Sequence, residues 1–269
     1  MRISRRALPL TAALLIAFSL ACASAAGVKE DQAPSSSPAY LALGDSLAVG
    51  VGAADWPTGG YVPRLFDQLN ANRQPDAEFE LINVGRSGAD TRSMIEDGQL
   101  AEAIAAIDAR RETYSFDDDV EVITIGVGGN DAFGLVAVCG GVVDEACLSR
   151  AQQSIRDVRK NLLFIVESLR AAAGPDVRIA VMTYYNPLIH DACPLHEFEL
   201  IGDVVLEGEV ALGIAAGLND EIRAAATAAG VPVAEVGELA VSELTGDCLH
   251  ASDAGHARIA AAFADALNS

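Results

Sequence analysis

Short apolar segments alternate with longer helical segments along most of this chain. The apolar segments are rich in Val, Ile and Leu at consecutive positions, which is typical of strands buried on both faces of a sheet. They span residues 40–43, 79–84, 120–127, 177–184 and 231–236. The helical segments span residues 61–72, 91–109, 149–173, about 204–229 and 254–267. This alternation predicts an α/β fold, in which a parallel sheet carries helices on both faces.

Residues 1–25 have the features of a secretory signal peptide. Arginines at positions 2, 5 and 6 precede an uncharged, mostly apolar stretch, and small residues follow. The apolar stretch is shorter than the ~20 residues that a membrane-spanning helix needs. An Ala-Ser-Ala sequence at residues 23–25 fits a cleavage site, so we expect a secreted, soluble protein. The alternative is a lipid anchor to the cell envelope, because the Ser-Leu-Ala-Cys sequence ending at Cys22 resembles a bacterial lipobox.

The rest of the chain is expected to form one domain after a short linker. Residues 26–38 have no apolar face and predict a flexible linker. Residues 39–269 are long enough for one domain with a full core. The formal net charge of −20 predicts a surface that repels nucleic acid and anionic membranes. We therefore expect no nucleic-acid partner, and contact with a membrane only through a lipid on Cys22.

Four short polar segments lie at or near the ends of apolar segments. They are Gly44-Asp45-Ser46-Leu47, Gly85-Arg86-Ser87-Gly88, Gly128-Gly129-Asn130-Asp131 and Asp247-Cys248-Leu249-His250. In open α/β sheets the functional groups gather beyond the carboxyl ends of the strands. Together the segments contain a serine nucleophile, hydrogen-bond donors, and a histidine base with a carboxylate. Those are the groups that acyl transfer from an ester requires.

In this order the four segments resemble the Ser, Gly, Asn and His blocks of the GDSL or SGNH family of esterases and lipases. The resemblance implies the SGNH-hydrolase fold, a flavodoxin-like three-layer α/β/α sandwich with a five-stranded parallel sheet. It makes residues 39–269 the catalytic domain, with Ser46 as the nucleophile, His250 as its base and Asp247 as the group that orients His250. Asp253 is an alternative orienting group. His256 falls inside the last predicted helix, where a surface or packing role is expected.

The resemblance also implies an oxyanion hole. Its donors would be the backbone N–H groups of Ser46 and Gly88 and the side-chain amide of Asn130, which donates without titrating. Gly85 is the alternative glycine in the second segment, but the Ser-Gly pair ending at Gly88 matches the family pattern better. A tight turn after the third strand would also explain the glycines before Asn130, and such a turn would aim its side chain.

The segment from His190 to Glu197 contains His, Asp and Cys side chains that could bind a metal. Its spacing matches no zinc pattern, so we expect a loop at the rim of the substrate cleft instead. No metal and no other cofactor are predicted. The Tyr-Tyr-Asn-Pro sequence at residues 184–187 resembles the family's block at the border of the acyl pocket.

Four cysteines remain after the signal region, an even number in an exported chain, where disulfides persist. Three pairings are possible. Local closure favours Cys139 with Cys147, which leaves Cys193 with Cys248 and would hold the segment of the predicted base.

The sequence thus predicts a secreted serine ester hydrolase that forms an acyl-enzyme, most simply a carboxylesterase or lipase acting on a small-molecule or lipid ester. Two alternatives stay open. One is a carbohydrate O-acetyl esterase, and the other is a catalytically silent binding module of the cell envelope.

Overall fold

A parallel sheet of five strands forms the centre of the protein in the computed structural model, which describes residues 37–71, 73–111, 119–139, 144–193, 196 and 199–269. The strands are β1 (Ala39–Gly44), β2 (Glu80–Asn83), β3 (Val120–Gly126), β4 (Arg178–Met182) and β5 (Val233–Ala234). Their order across the sheet is β2-β1-β3-β4-β5, and every neighbouring pair is parallel. This is the flavodoxin-like order, in which the strand order reverses between β1 and β3.

Helices cover both faces of this sheet. They are α1 (Ser46–Val49), α2 (Trp56–Gly59), α3 (Tyr61–Asn70), α4 (Thr91–Glu96), α5 (Gln99–Arg111), α6 (Gly129–Cys139), α7 (Glu145–Ala173), α8 (Glu199–Leu206), α9 (Leu218–Ala229) and α10 (Asp253–Leu267). Helices α3 and α10 pack together in one layer, and α5, α7 and α9 form the other. The predicted three-layer α/β/α sandwich with a five-stranded parallel sheet is confirmed.

The main core lies between the central strands and the two helix layers. All six residues of β1 are buried, and β3 and β4 each have one exposed position. Strand β2 differs from the expectation of burial on both faces, because its residues are exposed or half-buried. It lies at the edge of the sheet, next to β1.

The predicted helix over residues 91–109 is interrupted. It divides into α4 and α5 at Gly98, whose φ of 88° is the left-handed conformation that favours glycine. The predicted helix over residues 204–229 divides in the same way into α8 and α9. A three-residue 3-10 turn at Val210–Leu212 lies between them, flanked by Gly208 and Gly213 with φ values of 82° and 81°.

Helix α6 is absent from the sequence prediction, which favoured a turn at the same glycines. The structure contains both features, since Gly128 has a φ of 132° and α6 begins at the next residue. Helix α7 begins four residues earlier than predicted, at Glu145, because the Asp144 side chain accepts a hydrogen bond from the backbone N–H of Cys147 and caps the helix.

The predicted signal peptide at residues 1–25, the lipid-attachment alternative at Cys22 and most of the linker at residues 26–38 lie outside the described residues. Within the described part of the chain, no helix combines the length and apolar character needed to cross a membrane.

Candidate active site

Ser46 lies directly beyond β1, at the first position of α1. The preceding Asp45 caps this helix, with its Oδ1 accepting a hydrogen bond from the backbone N–H of Leu47 at 2.9 Å. Gly50 ends the helix in a left-handed conformation. The strand, the cap and the short helix therefore hold Ser46 at the point where the strand order reverses, the usual ligand position in such sheets.

His250, in the last of the four polar segments, lies next to Ser46. Its Nε2 lies 3.1 Å from the Ser46 Oγ, and its Nδ1 lies 2.7 Å from Oδ2 of Asp247. An ionised carboxylate only accepts hydrogen bonds, so Nδ1 carries the proton and Nε2 presents its lone pair to the serine hydroxyl. The structure thus joins Ser46, His250 and Asp247 in one hydrogen-bonded series. Asp253, the alternative orienting group, contacts Arg64 instead.

The Asp247 carboxylate is stabilised in its charged form. Burial would raise its pKa, but hydrogen bonds from the backbone N–H of His250, the Thr245 hydroxyl, the His250 ring and the backbone N–H of Leu249 together bring the pKa well below its usual range. The carboxylate is therefore a negative charge beside the His250 ring.

The segment around His250 is held at several points. Cys248 forms a disulfide with Cys193, with the two Cα atoms 5.7 Å apart. The Tyr185 hydroxyl donates a 2.8 Å hydrogen bond to the carbonyl of Leu249. Gly52 has a φ of 101°, and a Cβ there would lie 2.2 Å from the carbonyl oxygen of Ala251. A glycine is required at that position for the loop after α1 to pack against this segment.

Asn130 occupies the second position of α6, and its amide Nδ2 donates a 2.9 Å hydrogen bond to the carbonyl of Ala89. Gly88 precedes Ala89 and has a φ of 81°, and a Cβ added to it would meet nothing within 4 Å. Ser46, Asn130 and His250 line one pocket, whereas Gly88 is not among the described residues that line it. Gly88 is connected to the pocket through Ala89 and Asn130.

The walls of this pocket are largely apolar. The apolar side chains come from the start of α1, from α6, from the segment after β4, from α8 and from the segment before His250; they are Leu47, Ala132, Phe133, Leu188, Val205, Leu206 and Leu249. Residues 184–187 lie at its border, as the sequence comparison with the family implies. The contributions of Phe133, Val205 and Leu206 were missed, because the helices that carry them were not predicted with these bounds. For Phe133, the available signal was the apolar run that begins at Ala132.

A buried pair next to the nucleophile was also missed. The Tyr184 hydroxyl donates a 2.6 Å hydrogen bond to Oδ2 of Asp45, and both residues are buried. Burial raises the pKa of Asp45 from 3.8 to about 6, although hydrogen bonds from Tyr184 and Leu47 and the nearby His250 lower it in part. The Tyr184 ring packs on Gly129, where a Cβ would lie 2.5 Å from it.

His256 is fully buried and has the packing role that its position in the predicted helix favoured. Its Nδ1 accepts a 3.2 Å hydrogen bond from the backbone N–H of Tyr61, and its Nε2 donates to the carbonyl of Val51 at 3.0 Å. Burial lowers its pKa, so the ring is neutral. Its two ring nitrogens are occupied by backbone groups.

The possible metal-binding segment lies partly outside the described residues, which omit positions 194, 195, 197 and 198. In the portion that the structure does describe, His190 contacts the carbonyl of Leu239 at 2.8 Å, and His196 pairs with Asp191 at 2.8 Å. Among the described side chains, no group of three His, Cys, Asp or Glu residues could hold a metal ion.

Cys147 is disulfide-bonded as well. The side chain of Cys139 lies outside the described residues, so its pairing with Cys147 stays a prediction. Because disulfides persist outside the cytoplasm, the bond between Cys193 and Cys248 is compatible with an extracytoplasmic location.

A serine, a histidine and a carboxylate in hydrogen-bonded series at the carboxyl edge of a flavodoxin-like sheet define a serine hydrolase of the α/β class. The model of the GDSL-like lipase/acylhydrolase family matches residues 42–258. The chain belongs to this family, and it is a serine ester hydrolase. The alternative of a catalytically silent binding module is therefore set aside.

Solved structures with the same fold include three enzymes from bacteria or environmental samples. A lipase from a goat rumen metagenome is 22% identical with a TM-score of 0.59, and the match covers 85% of this chain and 97% of that chain. An α/β hydrolase from the metagenome of Lake Arreo is 18% identical with a TM-score of 0.53, covering 86% and 95%. An acetylxylan esterase from Geobacillus stearothermophilus is 16% identical with a TM-score of 0.55, covering 86% and 94%. At these identities the likeness concerns the fold. No curated protein matches the sequence.

Proposed function

We propose that this protein is a secreted carboxylesterase or lipase that hydrolyses acyl esters through an acyl-enzyme formed on Ser46. The observation that carries the proposal is the hydrogen-bonded series of Ser46, His250 and Asp247, which opens on an apolar pocket. The series activates a nucleophile, and the pocket offers a surface for an acyl chain.

In the first step the Ser46 hydroxyl attacks the ester carbonyl while His250 Nε2 takes its proton. The resulting imidazolium is stabilised by the Asp247 carboxylate, which also keeps the ring in the required tautomer. The ester carbonyl becomes a tetrahedral oxyanion. Its collapse expels the alcohol, which receives the proton from His250, and leaves the acyl group on Ser46.

The oxyanion would be stabilised by the backbone N–H groups of Ser46 and Gly88 and by the amide of Asn130. The Asn130 amide has two hydrogens, and one of them donates to Ala89. The second is free to donate to the substrate while the first keeps the side chain in place. In the second half of the reaction, His250 takes a proton from water as the water oxygen attacks the acyl-enzyme. The second tetrahedral intermediate then collapses, the Ser46 oxygen takes the proton back from His250, and the free acid leaves.

The apolar walls favour an acyl chain longer than acetyl. Burial of apolar surface contributes about 0.8 kcal/mol per CH₂ group, so each carbon that contacts Phe133, Val205 or Leu206 should improve binding. An acetyl group would leave most of this surface uncovered. The structural similarity to an acetylxylan esterase keeps acetylated sugars as the competing substrate class.

A panel of p-nitrophenyl esters from acetate through butyrate and octanoate to palmitate, assayed beside acetylated xylo-oligosaccharides, tests the proposal. We expect kcat/KM to rise from acetate to longer chains and to exceed that for the acetylated sugars. Ser46→Ala is the control for enzyme-dependent turnover. A preference for acetylated sugars with no gain from a longer chain would replace the proposed substrate class with carbohydrate O-acetyl esters.

The proposed location is outside the cytoplasm, following export through the signal at residues 1–25. Mass spectrometry of the exported protein distinguishes its two forms. A mature chain that begins after Ala25 supports soluble secretion, whereas a diacylglycerol mass on Cys22 supports a lipid anchor. A full-length chain retained in the cytoplasm would contradict both.

A further inference from the structure

Two consecutive residues of α6 connect the segments that carry the predicted oxyanion donors. The first is Asn130, which donates from its amide to the carbonyl of Ala89. The second is Asp131, whose Oδ2 accepts a 2.9 Å hydrogen bond from the backbone N–H of Thr91 and whose Oδ1 accepts a 2.7 Å hydrogen bond from the Thr91 hydroxyl. Two neighbouring contacts thus join the Gly88 loop to the first turn of α6. One is between Asn130 and Ala89, and the other is between Asp131 and Thr91.

Thr91 is fully buried and makes a third hydrogen bond to a side chain, that of a second residue. The Asn161 amide of α7 donates a 3.1 Å hydrogen bond to the Thr91 hydroxyl oxygen, which therefore both donates and accepts. Placing a carboxylate in such a site costs free energy unless its oxygens are hydrogen-bonded. The burial cost is visible in the pKa of Asp131, which is raised from 3.8 to about 6. Both carboxylate oxygens contact Thr91, which is the first residue of another helix, α4.

The other end of the Gly88 loop is also fixed. The backbone N–H of Arg86 donates a 2.9 Å hydrogen bond to the carbonyl of Gly44, two residues before Ser46. Gly88 lies between this point and Thr91. Its backbone is left-handed. The attachments at Arg86, Ala89 and Thr91 on either side of Gly88 restrict its position.

We propose that Asp131 is a positioning residue, which holds the Gly88 loop against α6 through Thr91 and so sets the distance between the two predicted oxyanion donors, Gly88 and Asn130. This proposal rests on the proposed function, since it assigns a catalytic consequence to a contact outside the hydrogen-bonded series. Donors that stabilise a transition state must converge on one oxygen, and small displacements cost rate more than binding.

The test compares Asp131→Ala with Asp131→Asn on the best p-nitrophenyl ester of the panel. In the alanine variant we expect kcat to fall on the order of 10- to 100-fold, the loss typical of a displacement of about 1 Å, with KM changed less than about twofold. The asparagine variant should recover most of kcat, because its amide can accept from the Thr91 N–H and donate to the Thr91 hydroxyl oxygen. Such recovery by a neutral residue of the same shape identifies the contact with Thr91 as the cause.

Two further variants separate positioning from general stability. Tyr40→Phe is the matched control, because it removes one buried hydrogen bond, between the hydroxyls of Tyr40 and Thr124, in the core between β1 and β3. We expect it to lower the melting temperature and leave kcat unchanged. Thr91→Val removes the hydroxyl and retains the N–H, so its kcat should fall several-fold even if Asp131→Ala does not fold.

A double variant gives the decisive outcome. If Asp131 acts through the oxyanion donors, Asn130→Ala with Asp131→Ala should lose less kcat than the product of the single losses. Multiplicative losses, or a kcat equal to the wild type in folded Asp131→Ala and Thr91→Val proteins, would overturn the positioning role. The proposed function fails separately, if the wild-type protein hydrolyses none of the esters.

Discussion

The Tyr184 hydroxyl donates a hydrogen bond of 2.6 Å to the carboxylate of Asp45, the residue directly before Ser46. Asp45 is a buried ionisable group next to the nucleophile, and Tyr184 lies 139 residues from Asp45 in the sequence. The same carboxylate caps α1 through the backbone N–H of Leu47. Asp45 therefore connects the carboxyl end of β4 with the turn that presents Ser46.

Asp45 should make stability depend on pH in a specific direction. Its pKa is raised by burial to about 6 in the folded protein, against 3.8 for the free group, so the folded state binds its proton more tightly. The contribution of protonated Asp45 to the stability of the folded protein is fully present below pH 3.8 and is lost as the pH rises to about 6. The Asp45→Asn variant retains the capping oxygen but carries no titrating group at this position. We therefore expect the melting temperature of the variant minus that of the wild type to increase as the pH rises from 4 to 7.

Melting curves of both proteins across this pH range measure the effect. Asp203→Asn serves as a control, because it changes a different carboxylate, which accepts a hydrogen bond from the Asn186 amide. Parallel pH profiles for Asp45→Asn and wild type would contradict a buried, titrating Asp45.

Ser46→Ala should abolish ester hydrolysis and leave the fold intact. The hydroxyl is the group that forms the acyl-enzyme, and loss of such a nucleophile costs several orders of magnitude in kcat. The measurement is turnover of p-nitrophenyl butyrate, with circular dichroism to check folding. A fluorophosphonate probe should label Ser46 in the wild type and no serine in the variant. Residual turnover above a few per cent would remove Ser46 from the nucleophile role.

His250→Ala should be nearly as severe as Ser46→Ala, and Asp247→Ala should be milder. The His250 segment stays anchored without Asp247, through Tyr185 and through the disulfide at Cys248. Asp253→Ala is the matched control, since this carboxylate contacts Arg64 rather than His250. Values of kcat for the four variants decide the order. A larger loss in Asp253→Ala than in Asp247→Ala would reassign the orienting group.

Asn130→Ala should lower kcat about a hundredfold, with little change in KM, because its amide would interact with charge that develops only in the transition state. Asn130→Asp tests the same point without a change in shape, since a carboxylate cannot donate to an oxyanion. We expect it to be at least as severe. An increase in KM at constant kcat would instead make Asn130 a residue for substrate binding.

The sequence allowed the sheet and the positions of the polar segments to be predicted, because both depend on local patterns. Consecutive apolar residues mark β1 and β3, and Ser46 and Asn130 follow their carboxyl ends. In a parallel sheet these ends share one edge, so proximity of the two segments follows from the fold. The distance of 3.1 Å between His250 and Ser46 does not follow, since it depends on how the last loop packs.

Other features depend on contacts between distant residues and left no local signal. The interruption at Gly98 was missed, because a single glycine inside a helical pattern is often tolerated. The pairs of Tyr184 with Asp45 and of Asp131 with Thr91 join residues 139 and 40 positions apart. Neither pair has a spacing that a sequence pattern could reveal.

The disulfide between Cys193 and Cys248 should support both stability and rate. It closes a loop of 55 residues, for which the chain-entropy estimate is roughly 4 kcal/mol of stabilisation. It also holds Cys248, which has a left-handed φ of 56° between Asp247 and His250. We therefore expect a double variant with Cys193→Ser and Cys248→Ser to have a lower melting temperature and a kcat reduced on the order of tenfold.

Peptide mapping of the oxidised protein should recover residue 193 joined to residue 248. Cys147→Ser is the control, because it breaks a different disulfide and should spare kcat. Full kcat in the double variant would show that the other contacts of the His250 segment suffice, and four free thiols in the exported protein would refute the pairing itself.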